Sequence, residues 1–143
     1  MGENEKKMKE LLDSWNVRYS YKQEKNKFLM HYLSDTVGEY TINIGFSAID
    51  EKYKFQYFYL WVNDFCSSVS EEKYSQIIQY FNELNMGSYG TNLLLDKRNG
   101  SITVVLSCGI CVPDEDNDMW SMVVTTIKEI DKLYPRIMKI VWA

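Results

Sequence analysis

Histidine occurs once in this chain of 143 residues, and cysteine three times. With His31 as the single imidazole, any Ser-His-Asp or Cys-His mechanism must run through it, yet it stands between Met30 and Tyr32 with no neighbouring catalytic motif. A histidine on a sheet surface is the expectation. An odd number of cysteines does not make a disulfide framework and is most simply explained by a reducing compartment. Long apolar runs are lacking too. The most apolar stretch, Ile102 to Val112, is interrupted by Thr103, Ser107 and Gly109 and is far shorter than the ~20 residues that cross a bilayer as a helix. The opening residues Met1 to Lys7 have neither the apolar core of a signal peptide nor the hydroxyl residue of a myristoylation site, so the expected location is cytoplasmic. Basic excess is missing as well. Sixteen basic residues face twenty acidic ones, interspersed along the chain, which argues against a nucleic-acid partner.

The motifs of common cofactor and metal sites are incomplete. Cys108-Gly109-Ile110-Cys111 has the spacing of half a zinc site or of a redox pair, but the other ligand pair is missing, and the motif ends a strand where a redox pair opens a helix. Small residues finishing a buried strand explain it. Asp114, Asp116 and Asp118 match the first ligands of a calcium loop, but Met119 stands where glycine is needed and Thr125 where a bidentate glutamate is needed. Acids complementing a helix N-terminus are the expected role. Gly87-Ser88-Tyr89-Gly90 lacks the helix and lysine of a phosphate cradle. No catalytic residue, metal site or cofactor is therefore expected.

What the chain has is a full set of amphipathic periods and many aromatic residues: eleven Tyr, six Phe and four Trp. Met8, Leu11, Leu12 and Trp15 form a helical stripe over Glu5 to Trp15. Period two then takes over in Val17, Tyr19 and Tyr21, in Phe28 to Leu33, and in Tyr40, Ile42, Ile44 and Phe46. Tyr53 to Val62 reads as a fourth strand, apolar on both faces in its second half, so both faces are expected to lose water. Ser68 with Glu71 fits a capping box, with Ser70 as a competing cap, ahead of the stripe Tyr74, Ile77, Ile78, Phe81 and Leu84. Leu93 and Leu95, the turn around Asn99-Gly100, and Ile102, Val104, Leu106 and Cys108 predict a hairpin. A last helix runs from Met119; Pro135 is expected to break or kink it after Tyr134, with Ile137, Ile140 and Val141 forming a further helical turn or two that docks the C-terminus. The order α-β-β-β-β-α-β-β-α over residues 1–143 predicts one α+β, two-layer domain with a twisted antiparallel sheet and three helices.

The helix opening Val69-Ser70-Glu71-Glu72-Lys73, its end Phe81-Asn82-Glu83-Leu84-Asn85, the hairpin about Asn99-Gly100 and the final helix ending Leu133-Tyr134-Pro135 together resemble the YbjN-like family of bacterial proteins. The resemblance covers nearly the whole chain. It implies a fold similar to the type III secretion chaperones, frequent homodimers, and a regulatory or chaperone-like role without catalytic residues. This chain is richer in tyrosine along strands one and four than that resemblance leads one to expect. Tyr57, Tyr59 and Trp61, with Tyr53 and Phe55 before them and Tyr19 and Tyr21 on a nearby strand, form an aromatic ladder. Such a ladder stabilises a sheet by cross-strand pairing, and it equally suits an interface. The expected function is a non-catalytic protein-binding module engaging a partner, or a second copy, through Tyr57, Tyr59, Trp61, Tyr19 and Tyr21. The alternative is a sensor with an apolar ligand pocket between sheet and helix.

Overall fold

The computed structural model of the chain describes residues 1–87, 92–111 and 118–143, and all of their side chains except those at 64, 85–87 and 103–110. The elements follow the expected order: α1 (Glu3–Trp15), β1 (Arg18–Lys22), β2 (Lys27–Ser34), β3 (Gly38–Phe46), β4 (Gln56–Cys66), α2 (Tyr74–Gly87), β5 (Asn92–Asp96), β6 (Ser101–Cys111) and α3 (Met119–Val141). The fold class is α+β. The strands form one six-stranded sheet in the order β1-β2-β3-β4-β6-β5, antiparallel at every pairing.

Register carries the period-two pattern into the core. Phe28 pairs with Ile44 and Met30 with Ile42, and Ile44 and Phe46 pair in turn with Leu60 and Phe58. All of these side chains are buried, so one side of the sheet is a continuous apolar floor. Met8 and Leu12 of α1, Ile77 and Phe81 of α2, and Val123, Ile130, Leu133 and Ile137 of α3 join the same cluster. The three helices thus pack on one face of the sheet, which makes two layers. Asn16 closes α1 in the left-handed conformation, with φ of 55° and its N–H donating to the Asp13 carbonyl.

Two expectations are corrected at the level of elements. Strand four begins at Gln56 and not at Tyr53, because Asp50 organises a turn ahead of it. The Asp50 carboxylate accepts from the N–H groups of Lys52 and Tyr53, while Lys54 takes a positive φ of 55° and donates to the Asp50 carbonyl. The capping box before α2 does not form. Ser68 lies in the left-handed region, where a cap residue does not sit, and Ser70 makes no side-chain cap bond. A single 3-10 turn, Glu71–Lys73, leads into the helix instead. What holds this entry is the Val69 N–H, which donates to the Gly100 carbonyl at 2.8 Å and ties the segment to the β5–β6 turn. Gly100 has φ of +64°, and a Cβ there would meet the Val69 carbonyl oxygen at 2.8 Å, so the close approach requires glycine.

The helical turns expected beyond Pro135 are present, and they continue α3 without a break to Val141. Ile130 and Leu133 before the proline and Ile137 and Val141 after it are buried in one stripe, and that burial holds the last turns against the lost hydrogen bond. Pro135 itself is exposed, on the side where water can reach the carbonyl its missing N–H leaves unpaired.

A candidate binding face on the open side of the sheet

Alternation along the strands sends Tyr57, Tyr59 and Trp61 away from the helices, because Phe58, Leu60 and Val62 between them are buried in the core. No described helix covers them. Tyr57 is 41% exposed and Tyr59 36%, although β4 is an interior strand flanked by β3 and β6. The expectation that both faces of strand four lose water is therefore corrected: one face is core, and the other is open to solvent. Leu33 on β2 and Leu94 on β5 are exposed as well.

The aromatic row has internal order. The rings of Phe55 and Tyr57 meet edge to face at 5.2 Å, and those of Tyr57 and Tyr59 lie 6.2 Å apart. Trp61 is the fixed end. Its six-membered ring lies over Gly45 of β3, where an added Cβ would come within 2.8 Å of Cζ3. The Lys27 ammonium stands 5.3 Å from the Trp61 ring and donates to the Asn43 side-chain oxygen at 3.0 Å. Asn43 is itself buried and donates to the Trp61 carbonyl. At Trp61 the pairing with β6 shifts: Leu60 is opposite Ser107 but Trp61 is opposite Val105, an irregularity of the kind that re-aims side chains in a sheet.

Tyr19 and Tyr21 are not on this face. They pair with Met30 and Phe28, both core residues, and pack on Phe28 with ring centroids 5.9 and 4.7 Å away. The expected grouping with Tyr57, Tyr59 and Trp61 fails because β1 is an edge strand three positions from β4, and its tyrosines have the helix-side phase. Their hydroxyls serve local structure. Tyr19 donates to Asp13 of α1 and Tyr21 to Asn26 in the β1–β2 connection. The Asp13 carboxyl is held below its usual value by the Tyr19 hydroxyl and then by Lys9, while Tyr19 is pushed up by the same bond and by burial.

A second polar cluster lies at the start of α1. Asn4 and Glu5 are each 2% exposed, and Gln56 at the head of β4 is 3% exposed. Asn4 donates to the Gln56 oxygen at 3.0 Å, and the Gln56 amide donates to Glu5 at 2.6 Å and to the Ser47 carbonyl at 2.8 Å. Asn26 adds bonds to Glu5 and to the Phe46 carbonyl. The cluster buckles α1 to β3, β4 and the β1–β2 connection. Glu5 is the third residue after Gly2 at the cap position of α1, where the helix dipole favours its charge.

The remaining motifs resolve into structure or lie outside the described residues. His31 is half-buried on the open side and bonded through Nδ1 to the Thr41 hydroxyl at 3.0 Å. Cys111 is buried, and its thiol is pushed up by burial and by Glu5; Cys66 is also buried and pushed up. The Cys108 side chain is outside the described residues, as are Asp114, Glu115, Asp116 and the segment 88–91. Among the described residues no three His, Cys, Asp or Glu side chains gather as a metal site, and no helix is long and apolar enough to cross a membrane. The Gly45 slot and the Lys27 stack were not foreseen from the sequence, although a lone glycine in an alternating strand signals close approach. Comparison with protein-family models finds no match, and comparison with curated proteins finds no similar one.

Proposed function

We propose that this chain is a non-catalytic protein-binding module, a chaperone-like or regulatory adaptor of the bacterial cytoplasm, and that its binding surface is the open side of the sheet around Tyr57, Tyr59 and Trp61. The observation that carries the reading is the exposure of two tyrosines in the first half of an interior strand, where an aromatic row would normally be covered. Tyrosine suits a surface that is wet in one state and buried in another, because a large apolar body ends in a hydroxyl. Trp61 is pinned between Gly45 and Lys27, so part of the face is ordered before any partner arrives, which lowers the entropic cost of binding. A binding role without catalysis fits the bonded His31 and the buried thiols of Cys66 and Cys111, whose raised pKa values disfavour the thiolate. The resemblance to the YbjN-like family points the same way.

The test is in-cell photo-crosslinking from a benzoylphenylalanine placed at Tyr59, with the same group at the exposed Trp142 as control. A discrete crosslinked protein from position 59 and none from position 142 is the expected result. Equal or absent products from the two positions would overturn the reading.

A further inference from the structure

The open face has a sign of charge as well as an aromatic row. Across β1, β2 and β3 the side chains on that side include Arg18, Lys22 and Lys27 against the single acid Glu39, in a chain whose total charge is −4. Arg18 and Glu39 pair with each other. That leaves Lys22 and Lys27, which stand directly opposite one another in the β1–β2 register. Like charges in that position repel, and neither lysine has a carboxylate within ion-pair distance among the described residues. Lys27 is held instead over the Trp61 ring and against the Asn43 oxygen. The same register row continues through Gly45 to Tyr59. Two uncompensated ammonium groups thus lie in line with an exposed tyrosine and beside a stacked indole.

We infer that the occupant of this face is an acidic segment of another protein, with Asp or Glu side chains meeting Lys22 and Lys27 and apolar side chains lying on Tyr57, Tyr59 and Trp61. The inference rests on the binding reading above and adds the chemistry of the partner. Oppositely charged groups across an interface steer encounter and fix register, and an anion here removes the Lys22–Lys27 repulsion. A second copy of the chain is the weaker occupant, since a two-fold interface sets a patch against itself and would bring four unpaired lysines into one contact. A nucleic acid is weaker still. A phosphate backbone needs many cations along its track, and this face offers two in an acidic chain.

A display library of random short peptides, selected against the wild-type chain, tests this. The winners are then titrated by fluorescence anisotropy onto wild type, K22E, K22E/K27E and Y57A/Y59A, with oligothymidylate and sedimentation of the protein alone run in parallel. Winners rich in Asp and Glu beside apolar residues are expected, weakened about tenfold or more by K22E/K27E and lost on Y57A/Y59A. K22E alone, at an exposed position away from the Trp61 stack, is expected to weaken them in the same direction, which keeps the charge test independent of the folding of the double variant. Neutral or basic winners that still require Tyr57 and Tyr59 would overturn the acidic partner while leaving the binding face standing. An empty selection, or winners indifferent to Y57A/Y59A, would overturn both. Tighter binding of oligothymidylate than of any peptide, or self-association abolished by Y57A/Y59A, would replace the acidic protein segment with a different occupant.

Discussion

At the scale of single residues, the Tyr40 hydroxyl at the margin of the core is, like that of Tyr80, buried without a partner among the described residues. It is out of contact with water and makes no hydrogen bond to a described residue, and burial, then Asp131 and Tyr32, push its pKa up. An unpaired buried hydroxyl costs on the order of 1–3 kcal/mol. Tyr40→Phe keeps the ring on Tyr32, where the centroids are 5.7 Å apart, and removes the orphan. The variant is expected to be as stable as wild type or more stable by about 1 kcal/mol, read from urea midpoints; a loss of stability would mean that the hydroxyl has a partner in solution. Gln56 is the opposite case, since its amide oxygen and nitrogen are both engaged below the surface. Gln56→Ala removes those bonds at once and leaves Glu5 buried with fewer donors, so a loss of roughly 2–4 kcal/mol is expected in the same measurement. An effect under about half a kcal/mol would show that water replaces the amide without penalty.

At the scale of elements, much was legible and the failures share a cause. Met8 and Leu12 in the stripe of α1 and the alternation through Phe28, Met30, Ile42 and Ile44 located α1, β2 and β3 because local period and tertiary burial agree there, although Leu11 of that stripe is half-buried and Trp15 is exposed. The Ser68–Glu71 pair misled because its local preference was outweighed by the Val69–Gly100 bond, whereas the buried stripe of α3 carries the helix past Pro135. Tyr19 and Tyr21 had readable alternation but no readable side. The phase of a strand relative to the core depends on pairing, and pairing joins residues far apart in sequence. What Tyr19 does instead is clasp α1 to β1, through Asp13 and with Lys9 beside it. Asp13 is shifted below its usual 3.8, so its share of stability is present above that value and lost as pH falls through the lowered one. Tyr19 is shifted above its usual 10.0, so its share is present below that value and lost as pH rises through the raised one. The difference in urea midpoint between wild type and Tyr19→Phe is therefore expected to be flat between those limits and to shrink beyond each. A difference that peaks outside the window, or does not change with pH, would contradict the clasp.

At the scale of the whole molecule, the consequential fact is that three helices fall on one side of a six-stranded sheet. An antiparallel sheet can leave its second face to water, but such a face is ordinarily polar. Here its interior strand carries Tyr57, Tyr59 and a Trp61 that is pinned by Gly45 and Lys27. The ladder itself was visible in the sequence, and its solvent exposure was not, because the run Tyr57 to Val62 is apolar at every position and gives no sign of which side the helices take. Hydroxyl-radical footprinting, with the purified chain at low concentration compared with the same chain inside the cell that makes it, addresses this face most directly. Strong oxidation of Tyr57 and Tyr59 in the purified protein, with Phe58 and Leu60 spared, and clear protection of the same two tyrosines in the cell is the predicted result. Protection already present in the dilute chain, or equal oxidation in both settings, would contradict an open face that is filled by a partner.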